Sequence, residues 1–72
     1  MFRASNGNLL WFDVDYAEWR HDGTSEIFDW RCRDGEIQFR EGGYASDARL
    51  RNERELVWLG VTYVLERRTD TR

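Results

Sequence analysis

Asp13 and Asp15 stand two apart in Phe12-Asp13-Val14-Asp15-Tyr16, a spacing that puts two carboxylates on one side of an extended chain. If the following run folds back as a strand, Asp29 comes opposite Asp15, and three such oxygen donors could hold a hard divalent cation. The same register brings Arg31 and Arg40 in as direct or diagonal neighbours. The set therefore reads as a cross-strand charge ladder, each opposite-charge pair contributing about 0.2–1 kcal/mol. Asp15 against Asp29 is its one like-charge conflict, which Arg40 or Arg31 is expected to offset. No metal site is assigned.

His21, beside Asp22, is the only side chain whose ordinary titration lies near neutrality. It falls in a turn with no Ser or Cys fixed against it, and is expected to be an exposed loop residue. Cys32 is the single cysteine, so no internal disulfide can form, and with one histidine a closed zinc site is excluded. Alternation turns Cys32 inward as a small apolar group. The chain has no Gly-rich phosphate loop, no HExxH and no CxxC. No catalytic residue and no cofactor are expected, and the protein is not expected to be an enzyme.

The elements that position these residues are registered on Glu26–Glu41, two alternating runs around Asp34-Gly35. An Asp-Gly pair so flanked signals a two-residue type I′ hairpin, because both central positions need φ > 0. It sets Trp30 opposite Phe39 and Cys32 opposite Ile37. Asn6-Gly7 signals a second hairpin, pairing Phe2 with Trp11 and Ala4 with Leu9. From Leu9 to Arg20 the period of two predicts one long strand with Leu10, Phe12, Val14 and Tyr16 on the core face. Keeping that face apolar across Arg20–Thr24 requires a three-residue loop ending at Gly23, which sets Tyr16 and Val14 opposite Phe28 and Trp30.

Beyond Gly42-Gly43, Ser46 is a fair N-cap and Arg49/Glu53 and Arg51/Glu55 are i,i+4 pairs, so a short helix over 46–54 is the first reading. The alternation of Ala48 and Leu50 with Arg49 and Arg51 also permits a strand. Leu56–Arg67 is apolar on both faces and rich in Val, Thr, Tyr and Trp, which predicts a strand with Val57, Leu59, Val61, Tyr63 and Leu65 inward. The expected fold is mainly β, α+β at the margin. It is a small twisted antiparallel sheet or half-barrel of four to five strands, a meander of hairpins over 2–5, 8–20, 24–33, 36–41 and 56–67, with the helix before the last strand. Residues 1–68 form a single domain and 69–72 a polar, frayed tail.

A domain of 72 residues buries only about 60% of its unfolded surface and often leans on a partner. No apolar run approaches the roughly 18 residues of a membrane-spanning helix and no leader precedes the domain, which makes a soluble, unprocessed, cytoplasmic chain the expectation. The net charge is −3, carried by eleven Arg and no Lys against fourteen acids. Aromatic residues make up 15% of the chain, and the core face uses only about half of them. Phe2, Trp11, Trp19, Ile27, Trp58 and Val64 are left on the outer face, where Trp in an apolar patch marks a protein contact. The expected function is a non-enzymatic interaction module that docks on a protein partner or on itself as a homodimer. The alternative is single-stranded nucleic acid held by Arg49, Arg51, Arg54, Arg67 and Arg68 with aromatic stacking, which the acidic balance disfavours. No membrane contact is expected.

Overall fold

In the structure, a computed structural model that describes residues 1–66, the chain is mainly β, and its eight strands close into one antiparallel barrel. They are β1 (Phe2–Ala4), β2 (Leu9–Phe12), β3 (Ala17–His21), β4 (Thr24–Arg33), β5 (Glu36–Glu41), β6 (Tyr44–Asn52), β7 (Glu55–Trp58) and β8 (Val61–Leu65). Each strand pairs with its neighbour in the chain. The ring is completed by β1 against β8, with Phe2 opposite Leu65, Arg3 opposite Val64 and Ala4 opposite Tyr63.

The expected sheet of four to five strands is corrected to eight because two hairpins lie inside runs that read as single strands. Asp13–Tyr16 is a four-residue loop, with Phe12 opposite Ala17 and the Asp13 amide donating to the Tyr16 carbonyl at 2.7 Å. Leu59-Gly60 is a two-residue turn with Trp58 opposite Val61 and φ of 52° and 76°, the pattern of a type I′ turn. The helix over 46–54 is likewise replaced by β6. There Ala48 and Leu50 face inward as the strand alternative had them, and the cross-strand pair Arg49–Glu36 takes the place of an i,i+4 pair.

Loop length decides which parity faces the interior. The four-residue Asp13–Tyr16 loop shifts the inward set from Leu10 and Phe12 to Ala17 and Trp19, leaving Val14 and Tyr16 exposed. With that shift, the two-residue Asp22-Gly23 turn, at φ 50° and 76°, sets Ala17 opposite Phe28; the expected three-residue loop does not form. At the first turn Phe2 pairs with Leu10 rather than Trp11, the Ala4 amide donating to Asn8 O at 2.9 Å. The Asp34-Gly35 hairpin keeps the register expected of it, Trp30 opposite Phe39 and Cys32 opposite Ile37. Cys32 lies past the packed interior and is exposed, not a core residue.

The interior is filled by side chains. Trp58, Tyr63, Phe28, Phe39, Leu10 and Leu56 are its largest fully buried members, and Ala4, Ala17 and Ala48 supply the small positions that let the rings fit. Trp58 is at the centre, with ring centroids 4.6 Å from Trp19, 4.6 Å from Phe39 and 5.9 Å from Phe28. Its indole N–H donates to Ser46 Oγ at 2.8 Å, so the buried polar atom is satisfied. No helix among the described residues is long and apolar enough to cross a membrane.

Trp58→Ala, which empties the middle of the barrel, is expected to cost about 3–5 kcal/mol and to leave the chain unfolded or nearly so by circular dichroism. Leu59 holds a left-handed conformation that costs an L-residue roughly 1–2 kcal/mol and that Asn tolerates. Leu59→Asn should therefore raise the melting temperature, by about 4–8 °C if 1 kcal/mol is recovered.

Candidate functional site

Antiparallel meandering sends alternate loops to opposite ends of the barrel. Ser5–Asn8, Asp22-Gly23, Gly42-Gly43 and Leu59-Gly60 gather at one mouth; Asp13–Tyr16, Asp34-Gly35, Glu53-Arg54 and the chain ends gather at the other. The two mouths differ in chemistry.

At the first mouth the inward side chains are tied by hydrogen bonds. Tyr63 Oη accepts from Trp19 Nε1 at 3.0 Å and from Asn8 Nδ2 at 3.4 Å. His21 is stacked on Trp19, ring centroids 3.7 Å apart, and is half-buried rather than an exposed loop residue. Its Nε2 faces Glu26 Oε2, with Thr24 Oγ1 3.4 Å from the same nitrogen. A hydroxyl nucleophile and its base need the imidazole's two nitrogens used separately, one toward the hydroxyl and one toward the orienting acid. Here Glu26 and Thr24 Oγ1 both lie against Nε2, Nδ1 has only the exposed Asp22 carboxylate at 3.8 Å, beyond hydrogen-bond distance, and Thr24 Oγ1 donates to His21 O at 2.8 Å. Outside the same end, Glu18 accepts from Ser25 Oγ at 2.6 Å and from Arg20 Nε at 2.9 Å. The Ser25 hydroxyl, then Arg20, hold its carboxyl below the usual glutamate value.

The second mouth is apolar. Phe2, Phe12, Trp30 and Leu50 pack against the core but stay partly exposed, with the Phe12 ring centroid 5.7 Å from Phe2 and 5.0 Å from Trp30. Above them the Asp13–Tyr16 loop is held in one shape. Trp30 Nε1 donates to Asp13 O at 2.7 Å, and Asp13 Oδ1 accepts from the Val14 amide at 2.7 Å. The loop presents Val14, 87% exposed, and Tyr16, 41% exposed. Val14 also edges a shallow groove with Asp15, Asp29, Trp30, Arg31, Gln38 and Arg40.

The patch expected from sequence is taken apart by the barrel. Trp58 is 1% exposed and Phe2 and Trp19 pack on the core, which corrects their placement on the outer face. Trp11, Ile27 and Val64 do lie outside. Trp11 carries the Arg20 guanidinium 4.7 Å above its ring and is separated from Ile27 by Glu18, the cross-strand neighbour of both. Val64 stands two strands from Trp11, beyond Arg3 and the β1–β2 pair. Sequence reasoning missed Val14 and Tyr16 as surface residues. Its available signal was Asp13-Val14-Asp15, whose flanking acids suit a turn better than a strand centre.

Arg49, Arg51 and Arg54 are exposed on β6 and its following turn, Arg49 donating to Glu36 at 3.3 Å; Arg67 and Arg68 lie outside the described residues. Asp13 and Asp15 sit in the loop, so the three-strand ladder with Asp29 does not form, although Asp29–Arg40 and Arg31–Gln38 pair as expected. Arg40 turns away from Asp29 to Asp47, at 3.1 Å. Among the described residues no group of three His, Cys, Asp or Glu side chains is placed to hold a metal ion. Compared with family models, curated proteins and solved structures, the chain finds no match.

Removing the Ser25 hydroxyl tests the Glu18 network. Ser25→Ala should raise the Glu18 pKa in a carboxyl-carbon NMR titration. Because the native pKa is depressed, the wild type's stability advantage over Ser25→Ala is full at neutral pH and disappears as pH falls through the native Glu18 pKa.

Proposed function

We propose that the protein is a non-enzymatic interaction module that docks on another polypeptide through the apolar mouth of its barrel, with Val14, Tyr16 and Trp30 as the contact centre. The observation that carries this reading is the exposure of Val14 and Tyr16 on a loop that the Trp30 indole pins to the core. Single exposed apolar residues are ordinary on protein surfaces. Two of them on a braced loop, at the same end of the barrel as the partly exposed Phe2, Phe12, Trp30 and Leu50, give that end an apolar centre with charged neighbours, the composition of an interface centre. Bracing adds to the argument, because a surface that is already ordered loses little conformational freedom on binding. The closed barrel offers no free edge for strand addition, so recognition falls to side chains.

The single-stranded nucleic-acid reading has less behind it. Bases stack on exposed rings, and Trp19 and Trp58 are turned inward, while Trp11 is covered on one side by Arg20. The Arg49 and Arg51 strip runs beside Glu36 and Asp47 in one groove.

A photo-crosslinking amino acid placed at Val14, compared with the same residue at Asp22 on the opposite mouth, reads out the docking end. Position 14 should give one discrete polypeptide adduct that Tyr16→Ala diminishes, and position 22 none. Adducts from position 22 alone would overturn the assignment.

A further inference from the structure

The occupant of this mouth can be named from its charges. Around the ring, the Asp13–Tyr16 loop and the Glu53-Arg54 turn are separated by four of eight strands, so they stand diametrically opposite at the same end. The first carries Asp13 and Asp15. The second carries Arg51 and Arg54 around Glu53, and all three of those side chains are exposed. Asp15, Arg51, Glu53 and Arg54 make no side-chain ion pair among the described residues, Glu55 beside them accepts from Asn52 Nδ2 at 3.4 Å, and Asp29 in the adjoining groove is likewise unpaired, since Arg40 is turned to Asp47. One end of the barrel therefore presents an acidic loop, an apolar centre and, opposite the loop, a turn on which two exposed Arg stand against one exposed acid.

We propose that this mouth closes on a second copy of the same chain, in a two-fold dimer where the acidic loop of each copy meets the basic turn of the other. The inference rests on the docking surface proposed above and names its partner. The symmetry works out without further adjustment. A two-fold axis lying in the plane of the mouth and passing through the Asp34-Gly35 turn and the β1–β8 seam carries the Asp13–Tyr16 loop onto the partner's Glu53-Arg54 turn, and the reverse. On that axis the Asp34-Gly35 turn faces its own copy, and it holds one charge of each sign, Arg33 and Asp34, 3.9 Å apart, which can pair across as they pair within. Val14 and Tyr16 then descend toward the partner's Leu50 side of the mouth, where apolar surface is still uncovered. The contact is small. One end of an eight-strand barrel offers less surface than a standard-size interface, so a weak dimer is expected.

The experiment is sedimentation equilibrium over a wide concentration range on the wild type, Val14→Asp, Asp15→Arg, Arg54→Asp and the double variant D15R/R54D, with thermal melts as the control. All three substituted positions are exposed and lie in loops, so the melts should stay close to wild type. Each single variant should weaken the dimer by about tenfold or more, because each either buries a charge or sets like charges opposite. The double variant restores both opposite-charge contacts with the signs exchanged, and should return to within about threefold of wild type. A wild-type monomer at every concentration would overturn the second copy as occupant and leave the docking mouth standing for a different polypeptide. A dimer indifferent to all four variants would overturn the mouth as the contact between copies, since that contact would then lie elsewhere on the barrel.

Discussion

Everything in this fold depends on the pairing of β1 with β8. Three residue pairs, Phe2–Leu65, Arg3–Val64 and Ala4–Tyr63, join the two strands that would otherwise be free edges. A free edge is a template for pairing with other chains, and closure removes it. Closure also converts one face of every strand into an interior, and so gives a short chain a core enclosed on all sides without a helix. The seam is short, so packing behind it matters. Ala4 and Tyr63, which face each other across it, are both fully buried, and Tyr63 carries the hydroxyl that ties Trp19 and Asn8 into the polar mouth.

The four tryptophans show how one residue type is divided among four physical tasks. Trp58 supplies volume at the centre of the barrel. Trp19 closes the polar mouth through its N–H and through stacking with His21. Trp30 uses its N–H to brace a loop at the opposite mouth. Trp11 stays outside, beneath Arg20. In each inward case the indole N–H finds an acceptor, as a buried donor must. The outcome is a barrel with one end satisfied by hydrogen bonds and the other left apolar, and the docking proposed for this molecule rests on that asymmetry.

The mainly β class was legible from alternation and turn chemistry, and around Asp34-Gly35 the register was legible to the residue. The hairpins at Asp13–Tyr16 and Leu59-Gly60 were not. In the first, Val14 and Tyr16 continue the apolar period of Leu10 and Phe12, so the pattern runs through a turn whose side chains are in fact solvated. In the second, Leu occupies a left-handed position where Asn, Asp or Gly would have announced a turn. Each omission shifts the parity of the strand after it. Holding Val14 on the core face is what made a three-residue loop at Gly23 look necessary, and missing Leu59-Gly60 turned Trp58 outward. Face agreement between strands is a sound criterion, and it carries an error in one loop faithfully into the next. For residues 46–54, the Ser46 cap and the i,i+4 charge spacing favoured a helix, while the alternation of Ala48 and Leu50 with Arg49 and Arg51 only permitted a strand. Only the presence of β5, with Ala48 opposite Ile37, decides between them.

The last described residue is hydrogen-bonded to the first, Glu66 N donating to Met1 O at 2.8 Å. In topological terms the molecule is a ring of eight strands that happens to be cut at one of its eight junctions. Residue 1 and residue 66 could be bridged by a short linker and the chain reopened at Asp22-Gly23 without moving any strand from its neighbours, the kind of site where circular permutation succeeds. Such a permuted chain would carry its ends at the polar mouth and leave the apolar one free of them. The order in which the hairpins are synthesised is thus separable from the arrangement they adopt, and either mouth can be chosen as the one from which a fused sequence departs.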